Sequence, residues 1–134
     1  MSELLAGAAS VDITPSLGCH LCGYFTDRVA DNIHDPLHAK AIALRSGETT
    51  LGLVVCDVID VPVEVVAAAK GRIQELTGIP PSHILISATH THTGPSIVGA
   101  LGTPKDEKYG QETAPRIASL QGIAPARCTT GAGA

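Results

Sequence analysis

Aromatic side chains and basic clusters are what this chain of 134 residues has least of. Aromatics make up 2% of it, as Tyr24, Phe25 and Tyr109, so a folded core has to be built from valine, isoleucine, leucine and alanine. The formal net charge is -4, and no cluster of lysine or arginine is interleaved with aromatics. Because proteins that hold nucleic acid need a basic surface for the phosphates, we expect no nucleic-acid partner.

A secretory leader and a long apolar run are also missing. The opening Met-Ser-Glu-Leu-Leu-Ala lacks the positive charge and apolar stretch of a signal peptide, and no segment is long enough to cross a bilayer. We therefore expect a cytoplasmic protein without a transmembrane segment, or a secreted one if the true start lies elsewhere. The four cysteines are scattered and Cys56 lies in an apolar run, which indicates no disulfide framework.

The order of apolar patterns predicts an α/β fold. A small apolar stretch at residues 4–13 predicts one strand, and two apolar runs within residues 39–56, joined by a polar connector with glycine, predict a β-hairpin. Helical spacing over residues 62–77 predicts a helix, and the apolar run at residues 84–86 predicts a strand parallel to the hairpin. The expected architecture is a small mixed sheet flanked by helices, in an incomplete domain.

The remaining segments are less regular. Residues 16–36 are rich in glycine, cysteine, histidine and aspartate without a clear period, so we expect a long loop there. Towards the carboxyl end we expect a helix over residues 106–120 that is interrupted by Pro115, and a strand and turn at residues 127–134. We interpret residues 1–134 as a single partial domain.

The most informative segment is Thr-His-Thr-His-Thr-Gly-Pro at residues 89–95, directly after the predicted parallel strand. Ligand sites of α/β sheets collect beyond the carboxyl ends of such strands. In an extended backbone residues two apart point to the same side, so His90 and His92 are expected to face one cavity. Imidazole is an ordinary zinc ligand, but a catalytic zinc takes about three protein ligands. Two loop histidines that bind nothing are an equal alternative from this spacing alone.

Four segments together resemble the neutral/alkaline, non-lysosomal ceramidase family. The histidine segment resembles the family signature Thr-His-Thr-His-Ser-Gly-Pro, with Thr93 in place of serine. The other three follow the family's order: residues 6–15 resemble Gly-x-Ala-x-x-Asp-Ile-Thr-Pro, Gly23-Tyr24 resembles its Gly-Tyr, and residues 33–41 resemble Gly-Ile-His-Asp-Pro-Leu-x-Ala-Arg-Ala. The chain is thereby identified as the amino-terminal portion of a ceramidase-like catalytic domain.

This resemblance implies zinc-dependent hydrolysis of an amide bond in an N-acyl lipid such as ceramide, and so a place in sphingolipid metabolism. The first histidine of the family signature binds zinc, which implies that His90 is a metal ligand. The second lines the same site, so His92 is expected to be an acid/base or oxyanion partner and is also a candidate metal ligand. His34 is expected to line the cleft as a further catalytic residue.

The resemblance also implies that the metal site is incomplete. The family's remaining ligands, another histidine, a glutamate and a tyrosine, come later in its chain. No histidine follows His92 here, so we expect this fragment to be inactive alone.

Several residues admit a second interpretation. Asp57 and Asp60 follow the second hairpin strand and are candidates to orient a metal-bound histidine, although Asp60 more simply caps the helix that starts at Pro62. Cys19 and Cys22 have the spacing of a zinc or redox pair, but a structural zinc site needs a second pair. For the whole chain, the alternative is a non-catalytic remnant or a metal-binding module of unknown role.

Overall fold

The strands form one main sheet and a short separate ribbon. The structure is a computed structural model and describes residues 3–120 and 126–127. Its helices are α1 (Val63–Thr77) and α2 (Glu107–Ser119), with a 3-10 turn at Pro81–His83. Its strands are β1 (Leu4–Asp12), β2 (His20–Leu21), β3 (Arg28–Val29), β4 (His38–Ser46), β5 (Thr49–Cys56), β6 (Ile84–Ala88) and β7 (Ala126–Arg127).

The main sheet has the strand order β6-β5-β4-β1-β7 and mixes both pairing directions. The pairs β1-β4, β4-β5 and β1-β7 are antiparallel, whereas β5 and β6 are parallel. The hairpin β4-β5 closes through a two-residue turn at Gly47 and Glu48, where Gly47 has the positive φ of 58° that tight hairpin turns require. The mixed α/β sheet predicted from the sequence is confirmed.

The helix α1 carries the chain from β5 to the parallel strand β6, as predicted. It ends at Gly78, whose φ of 76° and N–H bond to the Gln74 carbonyl form a left-handed C-cap. No side chain caps its start: Pro62 precedes the first turn, and the Asp60 carboxylate accepts the N–H of Val61 instead. The prediction that Asp60 caps this helix is wrong, because two residues separate it from the first helical residue.

Both helices cover the same face of the main sheet. The core joins inward-facing strand residues to residues of α1 and α2, among them Ala39, Ala41, Val54, Cys56, Val65, Ala69, Ala114 and Ile117. Alternate strand residues face the other way, and among the described ones five aliphatic side chains are between 41% and 59% exposed, namely Leu4, Ile42, Leu51, Leu53 and Leu85. The period of two along each strand therefore separates a buried face from an open apolar one.

The helix α2 runs without a break through Pro115, where the sequence predicted an interruption. Proline inside a helix removes a hydrogen bond and costs about 3 kcal/mol. The helix is fixed at its start by Asp106, whose carboxylate accepts the Tyr109 N–H, and by the Tyr109 hydroxyl, which donates to the Ile13 carbonyl. Ile117, two turns further on, is fully buried. These tertiary contacts offset the cost of the proline.

The predicted long loop at residues 16–36 contains the ribbon of β2 and β3. The Gly18 N–H donates to the Ala30 carbonyl, and the Ala30 N–H donates to the Cys19 carbonyl, which closes the base of the ribbon. Strands of two residues are too short to show a periodic pattern, so the sequence could not indicate them.

The strand and turn predicted at residues 127–134 fall outside the described residues, apart from Arg127 in β7. Within residues 3–120 and 126–127, neither helix is long and apolar enough to span a bilayer.

Candidate metal centre

The histidine loop, residues 89–95, leaves the main sheet at the carboxyl edge shared by β5 and β6. Cys56 lies opposite Ala88 in the parallel pair, and the Thr89 N–H donates to the Cys56 carbonyl at 2.9 Å. The connection that follows β5, residues 57–62, starts from the same edge. Loops at this edge of an α/β sheet are where ligands bind, so the fold puts the two histidines in a favourable position.

His90 turns the chain instead of extending it. Its φ is 62°, a left-handed conformation that costs a non-glycine residue about 1–2 kcal/mol. The turn brings the two imidazoles together, with ring centroids 5.1 Å apart and an interplanar angle of 75°. The two rings lie together, but a left-handed turn and not the predicted extended backbone brings them there; that they face one cavity stays a prediction.

The tautomer of His90 follows from its hydrogen bond. Nδ1 lies 2.8 Å from the carbonyl oxygen of Ile59, in the connection after β5. A carbonyl only accepts, so in the neutral ring Nδ1 is the nitrogen that carries the proton and Nε2 is the one with the lone pair. Metal-binding histidines in proteins almost always donate their other ring nitrogen in this way. The exposed ring of His90 is thus oriented and chemically prepared to bind a metal ion.

His92 is packed more closely than His90. The Tyr24 ring meets it edge-on, with centroids 5.8 Å apart at 83°. The backbone of Gly23 lies so near that a Cβ there would be 2.6 Å from both Cγ and Nδ1 of His92. Because the Nδ1 edge faces Gly23, Nε2 is the nitrogen that is left to bind a metal or move a proton.

His34 lies apart from the ring contact between His90 and His92. Its side chain is 92% exposed, and Nδ1 is 2.7 Å from a carboxylate oxygen of the neighbouring Asp35. A cleft of about 430 Å³ runs beside the histidine loop, lined by residues between 14 and 37, with His34 among them, and by Thr93. The structure thus puts His34 on the wall of a cleft that reaches the histidine loop.

The histidine pair is only part of a metal shell. Across residues 3–120 and 126–127, no group of three or more histidine, cysteine, aspartate or glutamate side chains is arranged to hold a metal ion. A catalytic zinc takes about three protein ligands, so His90 and His92 fit the metal chemically but do not complete its coordination.

Asp57, which the sequence made a candidate to orient a metal-bound histidine, has another role. The Asp57 carboxylate accepts the N–H of His38 at 3.0 Å and so links β5 to β4. The group that orients His90 is the Ile59 carbonyl, a backbone atom for which the sequence carries no side-chain signal. Arg28, which donates to the His92 carbonyl, was also missed, because an arginine in an aperiodic loop is not distinctive.

The cysteine pair is not suited to metal or redox chemistry in this fold. Cys19 and Cys22 are both free thiols, and Cys22 is fully buried. Burial raises the pKa of Cys19 above its ordinary value, which reduces the thiolate that would bind a metal or attack a disulfide. The Cys22 thiol points to the Ala100 carbonyl at 3.9 Å. The burial and this contact indicate that the cysteine pair has a packing role.

Known structures share this fold. No protein-family model matches the chain, and no curated protein is significantly similar to it. A crystal structure of neutral ceramidase from Pseudomonas aeruginosa matches with a TM-score of 0.80 and 19% identity over 93% of this chain. A ceramidase solved in complex with C2 matches with a TM-score of 0.75 and 21% identity over the same share. The chain spans 22% of each of those chains. It therefore has the fold of one part of a neutral ceramidase.

Proposed function

We propose that this chain carries part of the zinc site of a ceramidase-type amide hydrolase, with His90 as a metal ligand. The observation that carries the proposal is the hydrogen bond from His90 Nδ1 to the Ile59 carbonyl, which makes Nε2 the nitrogen of the neutral ring that can bind a metal, in a ring that contacts His92. This is the outer-sphere arrangement of a metal-binding histidine. The fold shared with neutral ceramidases supports an amide as the substrate class.

The proposed reaction gives different roles to zinc and to His92. Zinc, when bound, acts as a Lewis acid toward the amide carbonyl. His92 is assigned to proton transfer at Nε2, taking a proton from the attacking water and delivering it to the amide nitrogen, which leaves readily only when protonated. His92 is also a candidate ligand, but a nitrogen that binds the metal has no lone pair for a proton. The two roles therefore exclude each other at Nε2.

The proposed substrate is an N-acyl lipid of the ceramide type, cleaved to a fatty acid and an amine. The cleft beside the histidine loop is the place we assign to part of this substrate, because it adjoins Thr93 and has aliphatic walls at Leu17, Leu21 and Leu37. A catalytic contribution from His34, on the same wall, stays a prediction.

A chain without catalytic activity is the second candidate. It is favoured by the ligand count, because the described residues bring no third metal-binding side chain to His90 and His92. For the same reason we expect the chain alone to turn over no amide substrate, even when zinc is supplied.

Zinc content separates the two candidates. We expect the chain, loaded with zinc and desalted, to retain about tenfold more zinc by elemental analysis than a His90→Ala variant, since even outer-sphere partners are worth 10- to 100-fold in affinity. His83→Ala is the matched control: His83 lies at the opposite end of β6 and contacts the Thr50 carbonyl, so its loss should leave zinc content unchanged. Equal, near-zero zinc in the unmodified chain and His90→Ala would support the non-catalytic alternative.

The substrate class needs its own measurement. We expect a short-chain N-acyl sphingosine to shift the NMR signals of Thr93 and the His92 ring in the zinc-loaded chain. A lipid of equal length without the amide is the control and should shift the His92 ring less. If both lipids leave these signals where they were, an N-acyl lipid is not the ligand.

A further inference from the structure

The ribbon segment, residues 20–29, is hydrogen-bonded to the residues that follow the two histidines. The Cys22 N–H donates to the Gly94 carbonyl at 3.1 Å, and the Ser96 N–H donates to the His20 carbonyl at 3.2 Å. Leu21 and Pro95 form an isolated β-bridge between these bonds. Backbone hydrogen bonds therefore hold the ribbon segment against the histidine loop, although the two are far apart in the sequence.

Arg28 links this ribbon segment to His92 in two ways. Its Nη2 donates to the carbonyl oxygen of His92, which fixes the backbone of that residue. Its guanidinium carbon lies 3.8 Å from the centroid of the Tyr24 ring, a cation–π contact. Tyr24 in turn packs edge-on against the His92 imidazole. One arginine thus holds the backbone of His92 directly and its ring through a tyrosine.

The surroundings of Arg28 are not those of an ordinary surface arginine. Its Nε is buried and, among the described residues, has no hydrogen-bond partner. A buried donor left unpaired costs about 1–3 kcal/mol. Arg72 avoids this cost on the surface of α1, where its side chain is 58% exposed and pairs with Glu75. A contact that costs stability while it holds a histidine indicates a role in function.

Gly23 leaves room for the His92 ring because it has no side chain. Its φ of 112° lies in the range that favours glycine, and a Cβ would collide with the His92 ring at 2.6 Å. The ring of His92 therefore rests on backbone at one edge and on Tyr24 at another.

We propose that Arg28 is the positioning residue of His92, and that it sets the angle at which this imidazole stands beside His90. The inference rests on the proposed function, in that an oriented His92 matters for hydrolysis. The orientation itself is a property of the chain without metal. It can therefore be measured whether or not zinc binds.

NMR of the metal-free chain at a fixed pH tests this. In the unmodified chain we expect a nuclear Overhauser contact between the rings of His90 and His92, and His92 ring protons shifted by the Tyr24 ring current. In Arg28→Met the chain should stay folded by circular dichroism, but both signals should be lost or averaged. Arg28→Lys should restore them in part, because lysine keeps a donor and a charge but not the planar fork.

Arg72→Met is the matched control and should leave the His90 and His92 signals unchanged. If Arg28→Met does not fold, Tyr24→Leu replaces it: Tyr24 is 49% exposed and links Arg28 to the His92 ring, so its loss should weaken the contact between the His90 and His92 rings while the fold persists. Unchanged contacts between these rings in Arg28→Met, or in Tyr24→Leu where that variant stands in, would overturn the proposal. A chain that keeps the ring contacts but binds no zinc would refute the proposed function alone.

Discussion

His90 combines two features that rarely occur in one residue. A left-handed backbone at φ 62° costs about 1–2 kcal/mol, while the bond from Nδ1 to Ile59 returns about 0.5–1.5 kcal/mol. The two are of similar size, so the turn that joins the imidazoles is nearly neutral for the fold. Backbone strain of this kind collects at functional sites, where the surrounding structure holds it in place.

Tyr109 has a buried hydroxyl that should matter for stability. It is buried, and it donates to the Ile13 carbonyl, which joins α2 to the end of β1. We expect Tyr109→Phe to lower the free energy of unfolding by about 1–3 kcal/mol in urea denaturation, because a buried carbonyl loses its partner.

Tyr24→Phe is the control for this prediction. Tyr24 is 49% exposed, so removing its hydroxyl should change the free energy of unfolding by less than about 0.5 kcal/mol. Equal effects at the two tyrosines would show that the hydroxyl of Tyr109 contributes nothing specific.

At the level of elements, α1 offers two glycines with opposite expectations. Gly78 at its C-cap has φ 76°, and Gly71 lies in its interior; a Cβ at either position meets nothing within 4 Å. Alanine should therefore act through the backbone alone. We expect Gly78→Ala to destabilise the chain by about 1 kcal/mol and Gly71→Ala to stabilise it by about 0.5–1 kcal/mol.

Thermal and urea unfolding of the two variants check this. Because each is the other's control, a general effect of added methyl groups would shift both in the same direction. Destabilisation by Gly71→Ala would mean that the interior of α1 is not in ordinary helical geometry.

The same elements explain what the sequence could predict. Alternation in the hairpin and helical spacing before Gly78 are local patterns, and they predicted β4, β5, α1 and β6 correctly. The continuity of α2 across Pro115 depends on Tyr109 reaching Ile13, a contact between residues 96 positions apart. The same holds for the site: the His-x-His spacing predicted that both rings face one cavity, but the left-handed turn at His90 and the contact from Arg28 depend on the folded chain.

At the scale of the whole molecule, two buried groups that lose a proton at alkaline pH, a thiol and a phenol, should make the fold less stable as the pH rises. Burial raises the pKa of Cys56 from 9.0 to about 12, and burial also raises the pKa of Tyr109 above its ordinary 10.0. The unfolded chain loses these protons at lower pH than the folded chain, so rising pH favours unfolding. We expect the free energy of unfolding to be level below about pH 8 and then to fall, by at most about 1.4 kcal/mol per pH unit for each group.

Urea titrations between pH 7 and pH 11 measure this slope. Cys56→Ala should reduce the part of the decline that begins at about pH 8, to which Cys19 also contributes because burial raises its pKa as well, and should leave the part that begins near pH 10. A free energy of unfolding that is the same at pH 7 and pH 10.5 would contradict the assignment of buried, protonated groups at these two positions.

The helices α1 and α2 cover one face of the main sheet, and the open face is also a feature of the whole molecule. Ile42, Leu51, Leu53 and Leu85 lie together on the face that neither α1 nor α2 covers. Contiguous apolar surface of this kind is uncommon on a monomer and is a feature of surfaces that meet other protein.

The bond between His90 and Ile59 spans 31 positions of sequence. Between these two residues the chain forms α1 and returns to the main sheet as β6, so the bond can close only where β5 and β6 are paired. The two imidazoles are close along the chain in any conformation, but the direction in which the His90 ring points depends on this pairing. Zinc affinity at His90 would therefore also report whether the parallel pair is intact.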